Sequence, residues 1–142
     1  MRFNTKKLLK KLNIKQVKCQ FTRKQFIDMF GFIPQGYATS NTREIYLQRG
    51  AKKDTLFHEI GHILLEQKNY RVMWDSISIV SEIEANLVGI EICKKIKEDY
   101  TGLQGYQKYA RRLYLQKNVK IKPRLRKVKQ VVSKILAAIE ES

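Results

Sequence analysis

The chain has 142 residues, 43% of them apolar and only two of them proline, which suits one globular domain with a buried core and excludes a disordered chain. It contains no run of 18 apolar residues, so we expect no transmembrane helix and no membrane partner. The lysine-rich N-terminus lacks the long apolar stretch of a signal peptide, so we expect a cytoplasmic protein whose cysteines, Cys19 and Cys93, are reduced.

The net charge of +16 is distributed unevenly along the chain. Residues 1–27 carry nine lysines and arginines and residues 100–139 carry eleven, and neither stretch contains an acidic residue. Residues 28–99 are nearly neutral, with nine basic and eleven acidic residues. The basic ends indicate a solvated surface, a polyanionic partner such as DNA, or attraction to an acidic face of a protein partner.

The first fifty residues predict two short helices and three strands. Thr22 is a typical N-cap, and Gly31 is a typical residue for the end of the helix that follows it. A polar turn at residues 40–42 joins two of the strands into a hairpin. The predicted segments are, in order, a basic helix Thr5–Leu12, a strand Ile14–Phe21, a helix Arg23–Phe30, and strands Tyr37–Thr39 and Arg43–Gln48.

A helix from about Lys52 to Gln67 carries the motif H-E-x-x-H at residues 58–62, with the only two histidines of the chain. Positions i and i+4 share a helix face, so His58 and His62 can bind one metal ion. Glu59 is then placed to act as a general base toward water at the metal. The pattern can also arise by chance, but apolar neighbours predict a buried helix, in which unpaired polar groups cost several kcal/mol.

A catalytic zinc needs three protein ligands and one open position. The chain has no third histidine, since Leu65 and Lys68 occupy the later glycine and histidine positions of the longer H-E-x-x-H-x-x-G-x-x-H pattern. The third ligand is then a carboxylate, or else Cys19, Cys93 or a tyrosine. The downstream acidic candidates are Glu66, Asp75, Glu82, Glu84, Glu91, Glu98 and Asp99.

Glu82 fits this role best, because it lies in a predicted helix that runs to about Lys97. An apolar stripe supports this helix, formed by Ile83, Leu87 and Ile90. Small residues on the neighbouring face, Ala85 and Gly89, would let the motif helix approach closely. Asn86 lies one turn after Glu82 and is predicted to hydrogen-bond a ligand imidazole. Glu84 points roughly opposite to Glu82 and is predicted to be solvated.

The last third of the chain predicts two helices. A break at Thr101-Gly102 precedes the first helix, Leu103–Gln116, and the second follows Pro123. The second helix has an apolar stripe that could close the core, mediate dimerisation, bind a partner helix or lie on DNA; it consists of Leu125, Val128, Val132, Ile135, Leu136 and Ile139. Residues 69–79 have no clear prediction. The candidates for a group that stabilises an oxyanion are Tyr37, Tyr100, Tyr106, Tyr109 and Tyr114.

His58-Glu59-Ile60-Gly61-His62, followed about twenty residues later by Glu82-x-x-Ala85-Asn86, resembles the ImmA/IrrE family of zinc metallopeptidases. Gly36-Tyr37 and Glu44–Leu47 also resemble the strands that precede the motif helix in that family. The resemblance implies a zincin-like fold, zinc held by His58, His62 and Glu82, and Glu59 as the general base. Family members often belong to phages or mobile elements and cleave a helix-turn-helix repressor encoded nearby.

We therefore expect one α+β domain over residues 1–142, in which a short, mostly antiparallel sheet packs on a helical core that carries the motif helix. Its catalytic core would be residues 28–99, flanked by a basic segment 1–27 and a basic helical segment 100–142. The expected function is site-specific cleavage of a repressor-type protein, bound in extended form along an edge strand at residues 43–48. The alternatives are a nucleic-acid- or repressor-binding module with a structural or vestigial zinc site, and a toxin-like hydrolase.

Overall fold

The computed structural model describes residues 3–67 and 74–142, and these residues form an α+β fold of six helices and one three-stranded mixed sheet. Within these two ranges, no helix combines the length and apolar character needed to cross a membrane. The elements are α1 (Thr5–Lys11), β1 (Lys15–Gln16), α2 (Arg23–Phe30), β2 (Gly36–Thr39), β3 (Glu44–Leu47), α3 (Lys53–Leu64), α4 (Ser76–Ile96), α5 (Thr101–Gln116) and α6 (Leu125–Glu140).

The first two helices begin at the residues that the sequence predicts; α2 also ends as predicted, and α1 ends one residue earlier, at Lys11. Asn4 caps α1 by accepting a hydrogen bond from the backbone N–H of Lys7. Thr22 and Gln25 form a reciprocal capping box at the start of α2, and Gly31 ends that helix with φ +81°. Local chemistry therefore fixes both helices.

The strand predicted at Ile14–Phe21 is wrong beyond its first residues, because only Lys15–Gln16 is a strand. The backbone N–H of Val17 makes a last hydrogen bond to the sheet, at Ile45 O. The chain then leaves the sheet, and Phe21 packs against the rings of Phe26 and Tyr37. The alternating residues therefore have different roles: Ile14 lies in the main core, whereas Phe21 packs among aromatic rings outside the sheet.

The sheet has the order β1-β3-β2, with β3 in the centre. β2 and β3 are antiparallel, with the register Gly36↔Leu47 to Thr39↔Glu44, whereas β1 and β3 are parallel. The sheet is therefore mixed: four of its residue pairs are antiparallel, as the sequence predicts for most of the sheet, and two are parallel. The prediction that residues 43–48 form an edge strand is also wrong, because β3 is paired on both sides. β2 is the outer strand that lies against α3.

The α3–α4 pair forms the centre of the protein and is apolar on nearly every side. Phe57 and Ile60 of α3 and Ile92 of α4 have no exposed surface. A Cβ atom on Gly89 would lie 3.3 Å from the backbone nitrogen of His58, which confirms that the two helices approach closely at a small residue. This approach brings the side chains of α4 to the histidine face of α3.

Helix α4 begins earlier than the sequence predicts. Asp75 caps it by accepting a hydrogen bond from Ser78 N, so residues 76–79, which had no clear prediction, are helical. The rest of that connection, residues 68–73, lies outside the described residues. The predicted break at Thr101-Gly102 is also misplaced, because α5 already begins at Thr101. The chain turns before it, after Lys97 adopts a left-handed conformation with φ +61°.

Helix α6 closes the core against α4 and α1, which is the first of the four roles considered for it. The predicted apolar stripe faces inward at Val128, Val132, Ile135 and Ile139. Leu125 is the exception, with 59% of its surface exposed in the first turn of the helix.

Candidate metal centre

Four polar side chains converge between α3 and α4. His58, Glu59 and His62 lie on α3 and Glu82 lies on α4, and each is at most 9% exposed. The Nε2 atoms of the two histidines are 3.0 Å apart. The Glu82 carboxylate lies 3.4 Å from His58 Nε2 and 2.8 Å from His62 Nε2. The structure thus brings together the three residues predicted as metal ligands.

The geometry of this cluster fits a metal ion. One ligand atom from each of His58, His62 and Glu82 lies within 4.8 Å of the others. Ligand atoms around a tetrahedral zinc with bonds of about 2.0–2.1 Å would be roughly 3.3 Å apart. The two Nε2 atoms, 3.0 Å apart, are close to this spacing, and each histidine has a Glu82 oxygen near it, Oε1 at 3.4 Å from His58 Nε2 and Oε2 at 2.8 Å from His62 Nε2. A set of two imidazoles and one carboxylate can hold a metal ion.

The protonation of His62 points to the same conclusion. Its Nδ1 lies 2.5 Å from Gln67 Oε1 and its Nε2 lies 2.8 Å from a Glu82 oxygen, so both ring nitrogens face acceptors. Burial lowers the pKa of His62, but the charge of Glu82 outweighs it and raises that pKa to about 9. Burial likewise raises the pKa of Glu82, but the histidines hold it well below its usual value. A metal ion bound here would take the place of the proton that lies between His62 Nε2 and the Glu82 carboxylate.

Gln67 fixes which nitrogen of His62 faces the cluster. Its Nε2 donates to Ser81 O and to Glu84 Oε1, both at 3.0 Å, so its Oε1 is left to accept from His62 Nδ1. His62 Nε2 therefore points toward Glu82 with its ring orientation set, as a ligand histidine requires. Sequence reasoning missed Gln67 because it placed this residue in the motif helix.

That helix ends at Leu64, three residues earlier than predicted. Glu66 adopts a left-handed conformation with φ +54°, which turns the chain back toward the histidines. The backbone N–H of Gln67 then donates to His62 O, and its side chain lies beside the same imidazole. The turn at Glu66 is therefore what positions Gln67.

Asn86 does not make the predicted bond to an imidazole within the described part of the chain. It is fully buried, and its Nδ2 donates to Gln107 Oε1 at 2.9 Å. Its Oδ1 and His58 Nδ1 are both buried and have no hydrogen-bond partner among residues 3–67 and 74–142. Gln67 rather than Asn86 therefore orients a histidine in this structure.

Glu84 is buried, at 2% exposure, and the prediction that it is solvated is wrong. Its face of α4 lies against the start of α6, where Arg124 binds it with the backbone N–H at 2.6 Å and with Nη2 at 2.9 Å. Burial raises the pKa of Glu84, but the hydrogen bonds from Arg124 and Gln67 outweigh it and hold the pKa below its usual value. Arg124 Nη2 also donates to Leu65 O at the end of α3. A continuous chain of contacts thus runs from His62 to α6.

Replacing Gln67 with leucine should weaken metal binding roughly 10- to 100-fold, because His62 would lose the acceptor that orients it. Titration against a chromophoric chelator measures this affinity. Gln104→Leu is the matched control, since Gln104 is exposed on α5. Equal affinities of Gln67→Leu and wild type would show that the contact does not support the centre.

Replacing Arg124 with methionine should lower the free energy of unfolding by about 1–3 kcal/mol at pH 7, since buried Glu84 would lose its charged partner. The pKa of Glu84 is lower in the folded protein, so this contribution is present above its unfolded pKa of about 4.3 and is lost as the pH falls further. Urea unfolding at pH 7 and pH 3.5 tests it. Arg126→Met, at an exposed position of α6, is the control. If Arg124→Met destabilised the protein as much at pH 3.5 as at pH 7, the ion-pair explanation would be wrong.

Glu59 lies beside the three candidate ligands without joining them. One of its carboxylate oxygens is 3.9 Å from Nε2 of each histidine. Burial is the main cause that raises its pKa above the usual value, and the neighbouring histidines only partly oppose it. The strand β2 passes directly over it at Gly36, where a Cβ atom would lie 3.2 Å from Glu59 Cγ and 2.8 Å from Tyr46 O. Gly36 is therefore required for this close approach.

Tyr106 is the tyrosine that reaches the metal centre. Its hydroxyl donates to Glu82 Oε1 at 2.7 Å, and its ring centroid lies 5.9 Å from that of His58. Tyr37 lines the same cavity farther away, among the aromatic rings near α2. Tyr109 packs against Trp74, and Tyr114 donates to Ile121 O. Of the five tyrosines named from the sequence, Tyr106 is thus positioned to contact a reacting group.

A cavity of about 690 Å³ opens onto the metal centre. One side of it carries His58, Glu59, His62, Glu82 and Tyr106. A second group of its lining residues, which we call the aromatic wall, comes from α2 and the segments next to it and consists of Phe21, Met29, Phe30, Phe32, Pro34 and Tyr37. Met29 and Phe32 are 45% and 43% exposed, so the wall presents apolar surface to whatever enters the cavity.

Comparison of the chain with known protein families, with curated proteins and with solved structures finds no match. The function is therefore inferred from the geometry of the site and from the motif residues themselves.

Proposed function

We propose that this protein is a zinc-dependent endopeptidase with a zincin-like fold, similar to the ImmA/IrrE family, that cleaves a repressor-type protein at one site. The convergence of His58, His62 and Glu82 on one point, with Glu59 3.9 Å from both imidazoles, is the observation that carries this proposal. Three ligands and a neighbouring carboxylate at the base of an open cavity are the arrangement of a catalytic zinc. A structural zinc would have four protein ligands and no cavity.

In this proposal His58, His62 and Glu82 would hold the zinc, and the zinc would supply Lewis-acid chemistry at the scissile carbonyl. Glu59 takes a proton from the attacking water and delivers it to the leaving amine. Its burial supports this role, because a raised pKa brings a carboxylate closer to the pH at which it must both accept and release a proton. Tyr106 offers an O–H donor beside the same centre.

The substrate would lie in extended form along β2, the outer strand above Glu59, instead of along β3. Main-chain hydrogen bonds to an outer strand favour an accessible, extended segment over a packed domain. The aromatic wall lines the same cavity as the candidate ligands and favours a large apolar side chain next to the cleaved bond. Such a residue is normally buried, so the substrate would present it in a linker or a locally unfolded segment.

The second candidate is a nucleic-acid- or repressor-binding module whose zinc is structural or vestigial. The net charge of +16 supports it. A binding module has no need for Glu59 beside an open cavity, so the arrangement of the site favours the peptidase.

Intact-mass analysis tests the proposal directly. The zinc-loaded protein is incubated with the repressor-type protein encoded nearest its gene, with and without a zinc chelator. We expect cleavage at one bond, next to a large apolar residue, that stops when the chelator is added. A stable complex with no cleavage in either sample would favour the binding module.

A further inference from the structure

A second cleft, of about 880 Å³, lies between α1 and β1. Since the sheet order is β1-β3-β2, it is at the opposite edge of the sheet from the strand that lies over Glu59. Five cationic side chains line it, and none of its described lining residues is acidic. We call it the basic cleft; its cationic residues are Lys6, Lys10, Lys15, Lys18 and Arg43.

The four lysines of the basic cleft are exposed, and none of them is within 4.0 Å of a carboxylate in the described ranges. Lys11, on the same helix, does form an ion pair with Glu141. Like charges held together without counter-charges repel one another, so a bound polyanion would reduce the electrostatic repulsion among these lysines. The four lysines therefore form, with Arg43, one cluster of positive charge around the cleft.

The frame of the basic cleft is fixed by hydrogen bonds. The Arg43 guanidinium donates to Leu12 O at 2.6 Å and to Asn13 O at 2.9 Å, and so ties the turn after α1 to the sheet. Lys6 and Lys10 are one helical turn apart and share a face of α1. The backbone that carries these lysines is therefore held in place, and binding would have to order mainly their side chains.

The lining chemistry identifies the partner. Of its apolar members, Leu9 and Ile14 are buried, at 4% and 6% exposure, and Val17 is half-buried, so its described lining lacks the large exposed apolar side chain that anchors a protein in a membrane surface. It also contains no aromatic residue on which the bases of a single strand could stack. Lysine ammonium groups only donate hydrogen bonds, which suits the phosphate oxygens of a nucleic-acid duplex.

We propose that the basic cleft binds the phosphodiester backbone of double-stranded DNA, with no sequence preference. This interaction is separate from the proposed peptidase activity and does not depend on it. Each phosphate neutralised by a lysine releases counterions, so the binding constant falls with salt by a slope of about 0.9 per contact on a double-logarithmic scale.

The test compares two variants with the same net charge. In the first, Lys6, Lys10, Lys15 and Lys18 are replaced by glutamine. In the matched control, the four replacements are made at exposed lysines on α4, α5 and α6, namely Lys95, Lys108, Lys129 and Lys134. Fluorescence anisotropy with a labelled duplex of about 20 base pairs is measured across a salt series. The pairs Lys6/Lys10 and Lys15/Lys18 are also replaced separately, in case the four-fold variant does not fold.

We expect the cleft variant to lose roughly tenfold or more in affinity at low salt and about 3 to 4 units of salt slope, while the control stays close to wild type. Each pair should account for about half of the lost slope. Equal losses in the cleft variant and the control would overturn the proposal, because binding would then follow net charge alone. Three results with the wild-type protein would also overturn the proposal. They are tighter binding to an RNA duplex than to the DNA duplex, binding to anionic lipid vesicles as tight as to DNA, and DNA binding that does not depend on salt.

Discussion

Replacing Glu59 with glutamine should lower the rate of substrate cleavage by roughly 10²- to 10⁴-fold and leave the metal in place. The amide keeps the size of the side chain but cannot take a proton from water. The carboxylate lies 3.9 Å from the imidazole nitrogens, beside the ligand set and not in it, so the ligands should be unaffected. Cleavage is followed by intact mass over time, and zinc is measured by elemental analysis.

The matched control for this variant is Glu66→Gln. Glu66 lies just after the same helix, but its side chain is 78% exposed. It should cleave like wild type. Full activity in Glu59→Gln would refute the general-base role, whereas a loss of zinc from that variant would show that Glu59 is itself a ligand.

Replacing Glu82 with alanine should weaken metal binding by more than about 100-fold, because a direct ligand contributes more than the partners that orient it. Only two imidazoles would remain at the centre. His62 would also lose the carboxylate that raises its pKa, so its proton should be released at lower pH in the metal-free protein. Zinc content after dialysis and titration with a competing chelator measure the loss.

Glu91→Ala is the control for this experiment. Glu91 lies on the same helix, is 45% exposed and pairs with Lys94 at the surface. It should bind zinc as wild type does. If Glu82→Ala kept a full complement of zinc, another carboxylate would have to complete the centre, and Glu59 would be the nearest candidate.

The sequence predicts the parts of this site that depend on local geometry. The spacing of His58 and His62 determines that they share a face of α3, whatever the rest of the fold does. The sequence also predicted that Glu82 lies beside the histidines, because a small residue, Gly89, allows α4 to lie against the backbone of α3. The start of α2 was predicted correctly because its cap, Thr22, depends only on residues close to it in the sequence.

The parts that the sequence did not predict depend on contacts between distant segments. Glu84 is buried because the start of α6 covers it, and Arg124 lies forty residues away in the chain. Gln67 reaches His62 only because Glu66 reverses the chain, and nothing in the periodic pattern marks that turn. The central position of β3 depends on two residues of β1, too few to leave a periodic signal.

Contacts run from His62 through Gln67 and Glu84 to Arg124 and so join the candidate metal centre to the C-terminal helix. Coupling between two such sites is reciprocal: each strengthens the other by the same free energy. Metal binding should therefore strengthen the docking of α6, and anything that displaces α6 should loosen the hold on the metal. The step from the nearly neutral residues 28–99 to the basic residues 100–139 is then a property of the surface and does not mark a structural boundary. The contacts that support the candidate site continue past it to α6.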